Sequence, residues 1–357
     1  MKVAYIDVDL SGHHIKYLIT LFRSNPDAIA ILPKKICQIP TDRQFVVENT
    51  NQLFKHPILY FYWLFRIYKI VKNEKVDVIH FLYGDVMVRY FGVGISKFKR
   101  FKRIVTFHQI RRHWLKDISF CRLCKKMDVV IVHTKKLEND LHQMGIKNVE
   151  QIEYPCFLDN FCENAKQEIC KRFGIQNDVP ILLLIGILAR YKGLDLLVNA
   201  LGSVREKYHL IVAGYNREYL DDEILSFKEK LKSHVTFDLR YLSEEEYAKY
   251  LSAADFVLLP YSKMFDGASG PLTDAVMFRK PVIASNHASL GKIIQENRLG
   301  ALFKTGNVEE LKTAIGRALK NEIQWNAKAE EYKKSIANLD GFVAANQKIY
   351  RDQMAAK

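Results

Sequence analysis

The sequence predicts an α/β protein made of two Rossmann-like domains, each a parallel sheet with helices on both faces. Three observations carry that expectation. Short apolar runs of strand character alternate with helical periodicity through nearly the whole chain, and this alternation leads to parallel sheets joined by helical crossovers. The 357 residues are enough for two separate cores. The alternation breaks once, at Tyr154-Pro-Cys-Phe-Leu-Asp-Asn-Phe161, and a new helix-then-strand unit begins near Lys166.

Strands are expected at 3–8, 28–32, 76–81, 103–107 and 129–132, then at 181–185, 209–213, 256–259, 282–285 and 301–303. The first runs into Asp9-Leu-Ser11-Gly12-His13-His14 and a helix over 15–22. The 181–185 strand exits through Gly186-Ile-Leu-Ala-Arg190-Tyr191-Lys192-Gly193 into a helix over 194–201. The 209–213 strand exits as tightly, through Val212-Ala213-Gly214-Tyr215. Ser243-Glu-Glu-Glu246 is a capping box with a structural role. A buried strand then leads through Pro260-Tyr261 to Asp266, and two helical stretches, 325–337 and 341–354, close the chain. In sheets of this kind ligands bind beyond the carboxyl ends of the strands.

Hydrophobic residues make up 48% of the chain, a normal share for a globular protein. No uninterrupted apolar run reaches the roughly 18 residues of a membrane span. The opening Met1-Lys2-Val-Ala-Tyr-Ile-Asp7 runs directly into a strand pattern, so the expectation is a cytoplasmic protein without a cleaved leader. Six cysteines are scattered, with only Cys121 and Cys124 spaced C-x-x-C, so reduced thiols and no metal are expected. Net charge is +14 and uneven: residues 1–165 hold 26 Lys and Arg against 16 Asp and Glu, the remainder 28 against 24. The first half should therefore meet an anionic partner.

Asp266-Gly-Ala-Ser-Gly-Pro-Leu-Thr-Asp274 is the most informative stretch. Ser269 or Gly270 should cap a helix with Pro271 in its first turn, where a missing N–H costs nothing. Asp266 then lies in the preceding loop and Asp274 one turn inside. The free amides at the helix start suit a phosphate, and the two carboxylates suit hydroxyl groups. The glycine turns at Gly186 and Gly214 let backbone approach a ligand. Arg190 offers a fork for phosphate oxygens and Lys192 a point charge.

The order of these pieces resembles the retaining glycosyltransferases of family 4. The match runs from about Phe173 to Leu319 and includes Tyr191-Lys192-Gly193, Val212-Ala-Gly214, Ala254-Asp255 to Pro260-Tyr261, the two acids, and Lys280-Pro281-Val-Ile-Ala-Ser. The resemblance implies the GT-B fold, two Rossmann-like domains facing across a cleft. Residues 1–160 would bind the acceptor and 166–340 the nucleotide-sugar donor, with a C-terminal helix, 341–357, completing the first domain. It implies that Asp266 holds donor-sugar hydroxyls, Asp274 the ribose, and Arg190 and Lys192 the diphosphate, helped by backbone amides near Ser269, Gly270 and Leu272, with no cofactor and no metal required. Three departures stand out. Both acids are Asp where the family has Glu, Ser269 stands in place of a Gly, and Ile187 stands in place of an Arg, leaving Arg190 to substitute.

In the first half, Thr106-Phe107-His108 aligns with the family's Thr-x-His, which implies that His108 sits over the donor sugar. Gly12, His13 and His14 form a small-residue turn at a helix start, suited to acceptor contact. A zinc role for the His pair is disfavoured, since adjacent helical residues point about 100° apart. His133, ending the 129–132 strand, is expected to be structural.

Two stretches explain the basic first half, residues 55–72 and 97–103, both mixing aromatics with Lys and Arg. They suit an anionic bilayer, which would bring the enzyme to a lipid-linked glycan acceptor. The competing reading of the first is a buried helix with snorkelling lysines. Nucleic acid is disfavoured, as no recognition signature accompanies the charge. The expected activity is retaining transfer of a sugar to a glycan in cell-surface polysaccharide synthesis. The alternatives are a non-catalytic or sugar-binding protein of the same fold and a sugar-nucleotide epimerase.

Overall fold

The computed structural model describes residues 1–10, 14–48, 50–53, 55–108, 114–158 and 161–355. The chain divides into two compact units, Met1–Phe157 with Asn338–Lys357, and Leu158–Ala337.

The first unit is built on a seven-stranded parallel sheet: β1 Val3–Ile6, β2 Ile29–Leu32, β3 Gln44–Val46, β4 Val78–Phe81, β5 Lys102–Phe107, β6 Val129–Val132 and β7 Val149–Gln151. Their spatial order is β3-β2-β1-β4-β5-β6-β7. β1 and β6 are continuous apolar runs, and β4 and β5 are largely apolar apart from Lys102 and Arg103 at the start of β5 and the buried pair His80 and Thr106, because helices cover both faces. The edge strands β3 and β7 are three residues long and only partly buried. Sequence reading finds neither, since each lacks an apolar run to betray it. The helix Leu339–Ala355 belongs to this unit. Its Tyr350 hydroxyl lies 2.8 Å from Nδ1 of His80 on β4, and Gln347 donates to the Ser24 carbonyl at 2.8 Å.

The second unit has a six-stranded parallel sheet: β8 Ile181–Ile185, β9 His209–Ala213, β10 Val235–Asp238, β11 Phe256–Leu259, β12 Val282–Ser285 and β13 Gly300–Phe303. The order β10-β9-β8-β11-β12-β13 reverses direction at β8. Chain exits from β8 and β11 therefore diverge to opposite sides, the arrangement that opens a crevice at the carboxyl ends. The half-exposed edge strand β10 is the third that sequence reading misses. Ser243 caps the helix Glu244–Ala253 with Glu246 closing the box, as expected.

Candidate active site

The second unit gathers most of the expected donor residues at the carboxyl ends of β8, β9 and β11. Gly186 leaves β8 with φ +100° and its N–H donates to the Ala213 carbonyl at 3.0 Å. Gly214 leaves β9 with φ +127°, and a Cβ there would lie 2.3 Å from the Gly186 oxygen. The two exits thus press back to back, and Gly214 is required by its glycine neighbour whatever else it meets. A Cβ on Gly186 would lie 2.8 Å from Lys192 Nζ and 3.8 Å from Pro271 Cγ. Lys192 therefore reaches under the first turn, beside the start of the helix Gly270–Met277.

Lys192 is 4% exposed and its ammonium donates to the Ile185 carbonyl at 2.8 Å. Burial pushes it down to about 7; Asp274 pulls it up and Arg217 pushes it further down. An ammonium with so little water around it gains strongly from a bound anion.

The helix Gly270–Met277 starts as its sequence dictates. Ser269 Oγ accepts from Leu272 N–H at 3.3 Å, Pro271 occupies the first turn, and Tyr261 Oη lies 3.4 Å from Ser269 Oγ. Asp274, 1% exposed, accepts from the Tyr247 hydroxyl at 3.0 Å. Asp266 sits in the preceding loop, where its Oδ1 accepts from the Ser289 N–H at 3.2 Å and Oγ–H at 2.8 Å. Both carboxylates are thus aimed by partners that no local spacing announces. Tyr247 comes from the capping-box helix and Ser289 from the helix after β12.

Arg190 is placed differently from its expected role. Its guanidinium makes a two-pronged pair with Glu223 at 2.7 and 2.6 Å, lies 3.8 Å from Asp195, and stacks 4.3 Å over the Tyr219 ring. The fork that would grip a phosphate is occupied by a carboxylate instead, because Glu223 stands in the first turn of the helix Asp221–Leu231.

In the first unit, His108 follows β5, and its Nε2–H donates to the Leu82 carbonyl at 3.0 Å, leaving Nδ1 as the acceptor. Its ring lies 5.2 Å from His14, 5.1 Å from Tyr17 and 5.0 Å from His133. Burial, reinforced by His133 and His14, holds His108 well below 6.5. His14 opens the helix His14–Arg23 with Nδ1 3.4 Å from Asp7 Oδ2. Burial opposes its charge, but the Asp7 bond and the charges of Asp7, Asp9 and Asp85 outweigh burial and raise it. His133 donates Nδ1–H to the Ile152 carbonyl at 2.9 Å and is held at about 4 by burial, which suits packing. Gly12 and His13 lie outside the described residues. Among the described residues no group of three or more His, Cys, Asp or Glu is arranged to hold a metal ion.

Residues 165–337 match the family described as Glycosyl transferases group 1, and residues 12–154 match Glycosyltransferase Family 4. The two matches span nearly all of both units. The chain belongs to the family 4-like glycosyltransferases of GT-B fold. An uncharacterized glycosyltransferase of Methanocaldococcus jannaschii is 23% identical over 74% of this chain and 73% of its own length. A putative teichuronic acid biosynthesis glycosyltransferase of Bacillus subtilis is 23% identical over 66% of this chain and 61% of its own. Among solved structures, the sucrose-phosphate synthase of Thermosynechococcus elongatus covers all of both chains with a TM-score of 0.79 and 18% identity. Anabaena HepE in complex with UDP has a TM-score of 0.77 at 15% identity, covering 99% of this chain and 100% of that one.

This glycosyltransferase also shows a surface that the sequence pointed to only in outline. The helix Pro57–Asn73 buries Tyr60, Trp63, Leu64, Ile67 and Val71 and exposes the opposite side. Ile58 is 82% exposed, and Phe61, Tyr62 and Phe65 stand about half exposed beside it. Arg66 lies over the Tyr62 ring and Lys69 over Phe65. The second basic stretch differs from expectation: Phe98 and Phe101 are buried in the core, so it offers cations without free aromatics. Among the described residues no helix is long and apolar enough to cross a membrane.

Proposed function

We propose that this glycosyltransferase moves a sugar from a nucleotide-sugar donor to a lipid-linked glycan acceptor, with retention at the anomeric carbon, in cell-surface polysaccharide synthesis. The observation that carries the donor half is the buried Lys192 ammonium beside the start of the helix Gly270–Met277, with Asp274 one turn in. The UDP bound to Anabaena HepE supports a nucleotide at such a site, and the teichuronic acid relative supports a glycan product.

In this reading Lys192 and the amides at Ser269 and Gly270 hold the diphosphate, while the Leu272 amide, expected to be free, is taken by Ser269. Asp274 accepts a ribose hydroxyl and Asp266 a hydroxyl of the transferred sugar. Chemistry begins as the bond between the anomeric carbon and the diphosphate oxygen breaks and charge grows on that oxygen. Lys192 stabilises this charge. The acceptor hydroxyl attacks from the same face, its new C–O bond forms, and its proton passes to the departing diphosphate. His108, neutral, offers its Nδ1 lone pair to a sugar hydroxyl. Gly12, His13 and His14 meet the acceptor. Lys192 and the amides supply the charge, so no metal is required. The exposed Ile58, Phe61, Tyr62 and Phe65, ringed by Arg66 and Lys69, support docking on an anionic bilayer from its cytoplasmic side.

The test is nucleotide release from a panel of UDP-, GDP- and ADP-sugars, with the wild type beside Asp274→Ala and His108→Ala, in the presence of EDTA. Release from one donor, lost in both variants and indifferent to EDTA, is expected. Release unchanged in Asp274→Ala would sink the assignment of the donor site.

A further inference from the structure

Asp7 is the first residue past β1, and it is buried. Its Oδ1 accepts from the Asp9 N–H at 3.0 Å, and its Oδ2 lies 3.4 Å from His14 Nδ1. A carboxylate taken out of water needs a cation or donors close by. Among the described residues the His14 ring is the only side chain that pairs with it. The pairing fixes the ring: Nδ1 faces Asp7, and Nε2, on the far edge, is turned away from it. Among the described residues no group bonds Nε2, and the His14 side chain keeps 21% of its surface open.

β1, β4 and β5 are consecutive neighbours in the sheet, so their carboxyl ends stand side by side. The His14 ring lies 5.3 Å from Tyr83, two residues past β4, and 5.2 Å from His108, the first residue past β5. The charged groups around it are Asp7 and Asp9 beyond β1 and Asp85 beyond β4, all acidic, while His108 stays uncharged near neutral pH. These acids favour the imidazolium, in which both ring nitrogens carry hydrogen. In the transfer described above, the one proton of the attacking hydroxyl faces the departing diphosphate and one lone pair faces the anomeric carbon. Only the second lone pair remains, so a side chain that holds this oxygen must donate to it. His108 spends its N–H on the Leu82 carbonyl and has none left to give. His14 as the imidazolium has one, at Nε2.

Resting on that transfer reading, we propose that His14 holds the oxygen of the attacking hydroxyl and that Asp7 is its positioning residue. Asp7 accepts Nδ1–H, and Nε2–H donates to the free lone pair of the hydroxyl, beside the sugar that His108 covers. The charged ring is the working form, so its contribution is present at low pH and is lost as pH rises.

Nucleotide release from the preferred donor is followed from pH 5 to pH 9 with water as the attacking hydroxyl. Lys192 titrates in the same range, so each wild-type rate is divided by the rate of His14→Gln at the same pH, and the Lys192 dependence cancels. The ratio stands at roughly 10 to 100 at low pH, the range of a hydrogen bond from a charged group, and falls toward one as pH rises. In the Asp7→Asn chain, divided by the same chain carrying His14→Gln, the fall comes about one pH unit lower, because the carboxylate that favours the charge is gone. His14→Lys, which stays charged, keeps part of the low-pH rate and carries it to pH 9, an outcome that a merely structural defect would not produce. A ratio that is flat with pH, or one that rises with pH as for a general base, overturns this inference alone. So does a fall that Asp7→Asn leaves in place. A donor that binds but is cleaved in no chain overturns it as well, since water then finds no seat at His14. Absence of nucleotide binding in the wild type overturns the donor-site reading, and this inference with it.

Discussion

Replacing Lys192 by Met should stabilise the fold in a pH-dependent way while abolishing nucleotide binding. In the folded chain burial lowers Lys192 from 10.5 to about 7, so below that point folding must bury a charged ammonium. Between the two values the unfolded chain holds the proton and the folded chain does not, and stability therefore rises with pH. The contribution is fully present above the unfolded value and is lost as pH falls through about 7. Each pH unit in that window is worth about 1.4 kcal/mol, which makes the full span about 5 kcal/mol and the interval from pH 7 to pH 9 about 3 kcal/mol. Met fills similar space and carries no proton, so its chain lacks this dependence. Removing the ammonium also takes away the cation whose field reaches the buried Asp274, which shifts the overall stability of the variant. The slope of the difference is thus cleaner than its size. Urea unfolding of both chains at pH 7, 8 and 9 should show the wild type gaining about 3 kcal/mol on Lys192→Met. A difference that stays flat with pH would refute the buried, depressed ammonium. Diphosphate binding, which requires the charged form, should weaken in the wild type as pH rises above 7.

Gly214→Ala should lower stability by about 2–4 kcal/mol in the same unfolding assay, because the new methyl would sit against the Gly186 oxygen at a φ of +127°. Asp266→Asn should cut kcat/KM roughly 100-fold or more. Ser289→Ala, which removes one 2.8 Å bond aiming that carboxylate, should cost nearer 10-fold, read from steady-state rates on the preferred donor. His108 is held well below 6.5, so the rate profile from pH 6 to pH 8 should show no inflection of its making, whereas His108→Ala should lower kcat at every pH. Exchanging the exposed Ile58, Phe61 and Phe65 for Ser should release the protein from anionic vesicles at low salt while leaving its melting temperature within a few degrees, measured by sedimentation and by a thermal melt.

Much of this architecture is legible in the residues themselves. The strands of the sheet centres are largely apolar runs, and their ends fall within two residues of expectation, because a strand buried on both faces carries few polar positions to blur it. Ser269 and Pro271 start their helix, and Ser243 and Glu246 close theirs, because capping is a contact between residues two or three apart. The short edge strands β3, β7 and β10 escape notice because half their surface meets solvent and their residues are mixed. What no spacing could decide is which distant groups meet. Glu223 takes the fork of Arg190 from 33 positions away, Ser289 aims Asp266 from 23, and Tyr247 reaches Asp274 from 27. Lys192 and Arg190 are both cations in one short turn, yet one is sealed against a carbonyl and the other neutralised at the surface. Local periodicity decided where the helices and strands lie. Only packing of the finished sheet decided which charges remain for a ligand, since desolvation and long-range pairing arise when segments far apart in the chain come together.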